Sequence, residues 1–123
     1  TNLMKVQVIQ RVIGEGIGIG SKIVCGRVRI LQAPIDPMLE VEADEIIVTK
    51  QTTRSLANIV QRAAGLITVQ PGLNTHAAIL AVELGIPTII GVSNAFKRLK
   101  NGQVITIDTR QGCIYDGQSN QVS

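Results

Sequence analysis

Ile46-Ile47-Val48, then Leu66-Ile67-Thr68-Val69, then Thr88-Ile89-Ile90: the reading of these three runs, and of what lies between them, decides the fold. Each run is too short for a helix, is rich in β-branched residues and is apolar throughout rather than alternating. That is the signature of a strand buried on both faces. Between the first two runs, Leu56, Ile59, Val60 and Ala63 recur at helical spacing. Thr53 offers an N-cap, which predicts a helix from about Arg54 to Ala64, ended by Gly65. Between the last two, Gln70-Pro71-Gly72-Leu73-Asn74 reads as a turn and His76 to Leu84 as a second helix, stopped by Gly85 and Pro87. Ile79 is taken as an inward position of that helix, so Ile79→Ala should cost roughly 2–5 kcal/mol. The order strand, helix, strand, helix, strand implies parallel strands joined by right-handed crossovers.

Working outward, Lys5 to Ile13 alternates well enough for a strand, and the glycine-dense stretch Gly14 to Gly20 follows. Ile23 to Leu31 is a strand with Val24, Val28 and Ile30 on one face and Arg27 and Arg29 on the other. Pro34 and Pro37 mark a loop leading to the acidic segment Glu40 to Glu45. Past the third run, Asn101-Gly102 is a hairpin signal before Val104 to Asp108. Gln111-Gly112 turns the chain into Cys113-Ile114-Tyr115, and the polar tail after Gly117 is expected to fray. Both ends thus look all-β, with hairpins. The expected fold is α/β in three layers, β/β/α: a small antiparallel layer, a mainly parallel central sheet, and helices behind it. No internal repeat or linker interrupts residues 1–123, and the length suits a single domain.

The chain carries a net charge of +3 with a pI near 9.2, which raises nucleic acid as a partner. Arg11, Lys22, Arg27, Arg54, Arg62 and Arg110 are scattered, however. Only Lys97, Arg98 and Lys100 cluster, and Phe96 and Tyr115 are the sole aromatic residues. Without aromatic residues interleaved for stacking, the basic residues read as a solvated face and no nucleic-acid partner is expected. Cys25 and Cys113 supply neither a disulfide framework nor metal-ligand spacing. They read as small hydrophobes in apolar strands, with a pairing between them left open. No apolar run approaches the roughly 18 residues of a membrane span, and no signal peptide is expected. The expectation is a cytoplasmic protein without membrane partners. The chain opens Thr1-Asn2-Leu3 without an initiating methionine, and a piece of a longer protein is expected.

His76 is the one histidine. It follows a turn and opens a predicted helix, just beyond Asn74 and Thr75, either of which can cap. The first-turn N–H groups lack intrahelical partners, and the helix dipole favours negative charge there. A phosphate carried on His76 would therefore meet free donors, supported by Asn74, Thr75 and the Ala77 backbone. The bland alternative is a histidine that packs or donates a hydrogen bond at a helix end. No second histidine or paired cysteine accompanies it, so no metal is expected. The glycine run misses the dinucleotide pattern G-x-G-x-x-G because Ile19 holds the last required position, and it reads as a bend where backbones approach closely. Asp36, Glu40, Glu42, Asp44 and Glu45 lack metal-loop spacing and read as a solvated acidic loop.

The string Gly72-Leu73-Asn74-Thr75-His76-Ala77-Ala78-Ile79-Leu80-Ala81, followed by Leu84-Gly85-Ile86-Pro87-Thr88-Ile89-Ile90-Gly91, resembles the phosphohistidine signature of the phosphoenolpyruvate-utilising enzymes. These include pyruvate phosphate dikinase, phosphoenolpyruvate synthase and enzyme I of the sugar phosphotransferase system. The resemblance runs from about Gly14 to Gly117. It implies a swivelling β/β/α domain in which His76 accepts phosphoryl at one active site and delivers it to another. The family pattern differs at three places: Pro71 stands for a glycine, Asn74 for a threonine, and Val82 for an arginine six residues after the histidine. The opening, Lys5-Val6, Val12-Ile13, Gly16-Ile17-Gly18-Ile19-Gly20 and Gly26-Arg27-Val28, resembles the extra C-terminal domain of pyruvate kinases from bacilli and some other bacteria. That resemblance implies a C-terminal fragment with a structural or regulatory role and a vestigial His76. Its partners would be the catalytic domains of a tetrameric parent that moves phosphoryl from phosphoenolpyruvate to ADP. Magnesium and potassium would belong to that parent, with no cofactor in this domain. The alternative is a working phosphohistidine carrier in a dikinase-like or synthase-like enzyme.

Overall fold

The computed structural model describes residues 11–72 and 75–117. Their strands are β1 (Val12–Glu15), β2 (Ile17–Ile19), β3 (Ile23–Ile30), β4 (Glu45–Thr49), β5 (Gly65–Thr68), β6 (Thr88–Ile90), β7 (Val104–Asp108) and β8 (Cys113–Asp116). The α-helices are α1 (Ala57–Val60), α2 (His76–Leu84) and α3 (Ala95–Arg98), with a 3₁₀ turn at Arg54–Leu56 running into α1. The strands form one sheet in the order β1-β8-β7-β3-β4-β5-β6-β2. The first and last strands of that order follow each other in the chain with only Gly16 between them. The sheet therefore curls until its two edges meet.

Glycine makes that meeting possible. A Cβ at Gly16 would strike the Ile90 carbonyl, and one at Gly18 would strike the Thr109 carbonyl. The bend expected of the glycine run is thus a seam where β2 lies against the β7–β8 turn. The Gly16 N–H donates to the Gly112 carbonyl at 2.9 Å and ties the same seam.

The curled sheet has two hydrophobic sides. Ile13, Val28, Ile46, Val48, Ile67, Ile89, Ile105, Ile107 and Ile114 form one cluster, closed by Ala95 and Leu99 at either end of α3. Ile47, Leu66 and Ile90 face the other way, against Leu56, Ile59 and Val60 and the Ala77, Ala78 and Leu80 side of α2. Strands β4, β5 and β6 lie between the clusters, which is why their sequences are apolar without alternation. Strand β3, apolar on one face only, alternates as expected: Val28 is buried with Val24 and Ile30 packed beside it, while Arg27 and Arg29 lie opposite.

Several expectations need correction. The sheet is mixed rather than mainly parallel: β3–β4, β4–β5 and β5–β6 are parallel, whereas β1–β8, β8–β7, β7–β3 and β6–β2 are antiparallel. Strand β3 switches between the two, pairing with β7 up to Arg27 and with β4 from there on. The helix expected over Arg54 to Ala64 is only the 3₁₀ turn and α1. Thr53 occupies the cap position but gives no side-chain cap, its hydroxyl lying 3.1 Å from that of Ser55. At the far end the Ala64 N–H is taken by the Glu45 carbonyl at 2.8 Å, and Gly65 is already strand. Asn101-Gly102 is a turn but not a hairpin, since α3 precedes it and β7 pairs with β3 and β8. Among the described residues β1 and β2 likewise form no hairpin with each other, because β1 pairs with β8 and β2 with β6.

Ile79 is 54% exposed rather than buried. Cys25 is exposed and Cys113 partly so, and both are free, so the small-hydrophobe reading fails for Cys25. Most of the strand expected over Lys5 to Ile13, the residues Leu73 and Asn74, and the tail beyond Gly117 lie outside the described residues.

Candidate functional site

Strands β4 and β5 end side by side, Thr49 paired with Thr68. The loops that leave these carboxyl ends, with the first turn of α2, enclose a cleft of about 240 Å³ lined by Gln51, Thr52, Thr68, Gln70, Thr75, His76 and Ala77. Both loops start alike. The buried Thr49 hydroxyl donates to the Gln51 carbonyl at 3.4 Å, and the Thr68 hydroxyl to the Gln70 carbonyl at 3.3 Å. Each threonine thus turns its own chain outward and holds a glutamine at the cleft.

His76 is the first residue of α2 and is exposed. Its Nδ1 lies 2.8 Å from the hydroxyl of Thr52, which is buried at 8% exposure. When Nδ1 carries the ring proton, it donates to Thr52, and Nε2 keeps its lone pair for a ligand or an electrophile. Thr75 is the N-cap. Its hydroxyl accepts from the Ala78 N–H at 3.3 Å and donates to the Gly72 carbonyl at 2.9 Å. It therefore builds the loop as well as capping the helix. The N–H groups of His76 and Ala77 have no hydrogen-bond partner among the described residues. They form the positive end of the α2 dipole beside the imidazole.

Among the described residues the cleft lining holds no Asp, Glu, Lys or Arg side chain. Val82, six residues after His76, does not face the cleft and lines a separate groove with Ile17 and Ile79. Among the sequence-derived candidates, His76, Thr75 and Ala77 come together here, and Asn74 lies outside the described residues. Thr52, Gln51, Thr68 and Gln70 were not singled out by sequence. The signal that could have found them is topological, since the loops at the carboxyl ends of adjacent parallel strands are where α/β sheets bind ligands.

The acidic segment is not simply solvated. Arg27 makes two hydrogen bonds to Asp44, at 2.7 and 2.8 Å. Arg29 reaches the buried Glu45 at 3.2 and 3.4 Å. The Arg27 guanidinium, by hydrogen bonding first and by charge, holds the Asp44 carboxyl below its usual range. Among the described residues no group of three or more His, Cys, Asp or Glu side chains is placed to hold a metal ion, and no helix is long and apolar enough to cross a membrane.

The family described as "PEP-utilising enzyme, mobile domain" matches residues 41–112. Pyruvate kinase 2 of Synechocystis is 37% identical over 123 residues, covering 100% of this chain and 21% of that protein. A pyruvate kinase of Bacillus licheniformis is 41% identical over 120 residues, covering 98% of this chain and 20% of that protein. The chain thus spans about a fifth of the length of these curated relatives. A solution structure of Enzyme I superposes with a TM-score of 0.56 at 26% identity, covering 68% of this chain and 34% of the other.

Proposed function

The chain belongs to the mobile-domain family of phosphoenolpyruvate-utilising enzymes, and from that premise we propose that it is the accessory C-terminal domain of a pyruvate kinase. The observation that carries this reading is the similarity over 98–100% of the chain to a C-terminal fifth of pyruvate kinases. The parent moves phosphoryl from phosphoenolpyruvate to ADP, giving pyruvate and ATP. Residues 1–123 serve it as one swivelling β/β/α module with a structural or regulatory role. The parent is cytoplasmic and tetrameric, and its catalytic domains are the module's partners. Magnesium and potassium belong to those catalytic domains, where they offset phosphate charge.

Pyruvate kinase needs no histidine carrier, and among the described residues lining the cleft around His76 there is no lysine or arginine to meet a phosphate. His76→Ala in the parent enzyme is therefore expected to leave turnover nearly unchanged in a coupled pyruvate assay. A tenfold or greater loss of kcat would overturn the accessory reading.

A second reading is favoured by the Thr52–His76 pair: a working carrier, as in a dikinase-like or synthase-like enzyme. The Nε2 lone pair would attack phosphorus and break its bond to the enol oxygen, which leaves as pyruvate enolate and takes up a proton. The phosphoryl group would then lie against the Ala77 N–H, with Thr75 shaping the loop beside it. Labelled phosphoenolpyruvate incubated with the parent separates the readings. Acid-labile label that disappears in His76→Ala supports the carrier, and unlabelled protein with full pyruvate kinase activity supports the accessory domain.

A further inference from the structure

The face of the molecule beside α2 carries an apolar surface that the other described residues leave exposed. Helix α2 buries Ala77, Ala78, Leu80 and Ala81 against the sheet, while Ile79 and Val82 are 54% and 71% exposed. They stand three residues apart, on one helical face. Ile17 of β2, 51% exposed, meets them across a groove of about 670 Å³ lined also by Gly18, Ile19 and Ala78, where Glu83 is the one charged residue among those described. Scattered exposed apolar side chains need no explanation, but three that converge on one groove mark an interaction surface.

We propose that this groove is the seat of the catalytic part of the same polypeptide, an inference that rests on the pyruvate kinase reading of the parent. In the relatives this stretch is 20–21% of the chain, so about four-fifths of such a protein is available to cover the groove. A tethered segment also meets the groove at an effective concentration on the order of millimolar, which a foreign partner without a tether does not match. The occupant is an aliphatic ridge, with a basic side chain placed to meet Glu83. Val82 is then part of the docking surface, where an arginine would put an unpaired charge into an apolar contact.

The test uses the full-length parent with the photo-crosslinking residue p-benzoylphenylalanine in place of Val82, an exposed position where folding is not at risk. Light- and heavy-isotope enzyme are mixed before irradiation. The expected result is a crosslink within one chain, from position 82 to a residue outside 1–123, and none from the same group placed at Met38, which is 81% exposed and outside the groove. Light–heavy crosslinks would show a second copy as the occupant and overturn the proposal, as would the absence of any crosslink from position 82. Val82→Asp should also expose this domain to protease in the native parent, and unchanged cleavage would count against the docking. Pyruvate kinase activity, measured on the same samples, reports separately on the reading of the parent.

Discussion

Leu80 and Ile79 are neighbours in α2 with nearly the same volume, and the fold treats them oppositely. Leu80 is 6% exposed and packs against the sheet, whereas Ile79 is 54% exposed. Truncating a buried leucine costs its transfer free energy plus the cavity left behind, roughly 2–5 kcal/mol. Truncating a half-exposed isoleucine away from such features falls within about 0.5 kcal/mol. Urea unfolding of the two variants should therefore show a large loss of midpoint for Leu80→Ala and almost none for Ile79→Ala, and equal losses would contradict the observed facing of the helix. Sequence could not reveal this facing, because His76-Ala77-Ala78-Ile79-Leu80-Ala81-Val82-Glu83-Leu84 is apolar nearly all round and offers no stripe to read. Residue-level contacts between distant segments were equally hidden. Thr52 and His76 are 24 residues apart, and neither the capping pattern at Thr53 nor the signature around His76 points to their meeting.

Elements were legible where a local signal fixes both ends. α2, β6 and β7 run as expected over His76–Leu84, Thr88–Ile90 and Val104–Asp108, because Gly85, Pro87 and the Asn101-Gly102 turn bound them. α1 fell short because its last turn competes with the sheet for hydrogen bonds, a contest no local pattern shows. The join between β3 and β4 depends on charge as well as backbone pairing, since Arg27 clasps Asp44 just before β4 begins. Asp44 is depressed chiefly by its hydrogen bond to Arg27. A carboxylate lowered in the folded state stabilises that state above its unfolded value of about 3.9, and the contribution fades as pH falls through the lower folded value. Both partners are about half exposed, so solvent screening keeps the effect small. The expected outcome is a Tm gap between the parent sequence and Asp44→Asn that is present at pH 7 and closes below about pH 4. A gap that persists unchanged at pH 3, or widens there, would contradict a charge-based role for the pair. Added salt should narrow the gap at pH 7, because exposed pairs are screened.

At the scale of the whole molecule, the α/β class and the central βαβαβ run were readable, but the path of the sheet was not. The β7–β8 hairpin follows from the Gln111-Gly112 turn, but the pairing of β1, of β2 and of β7 with β3 is decided by which distant strand each one meets, and hydrophobic periodicity carries no information about that. The glycine run was the one local trace of closure, and it makes closure testable. At Gly18 an added Cβ meets the Thr109 carbonyl, main-chain atoms on the β7–β8 turn. At Gly14 it would meet the ends of Ile114 and Val92 side chains, both at 3.1 Å, which can turn aside. Neither glycine has a positive φ, so the two substitutions differ in space rather than in backbone strain. Overpacking that side chains can absorb costs roughly 1–3 kcal/mol. A clash with backbone has no such outlet except parting β2 from the turn, and with it the seam between the two edges of the sheet. Gly18→Ala should therefore lose clearly more stability in urea than Gly14→Ala, and hydrogen exchange should quicken in β2 and around Gly112 before it does in β4 and β5. Equal midpoints for the two variants, with β2 as protected as before, would mean that the edges meet without depending on one another and that the sheet is open in solution.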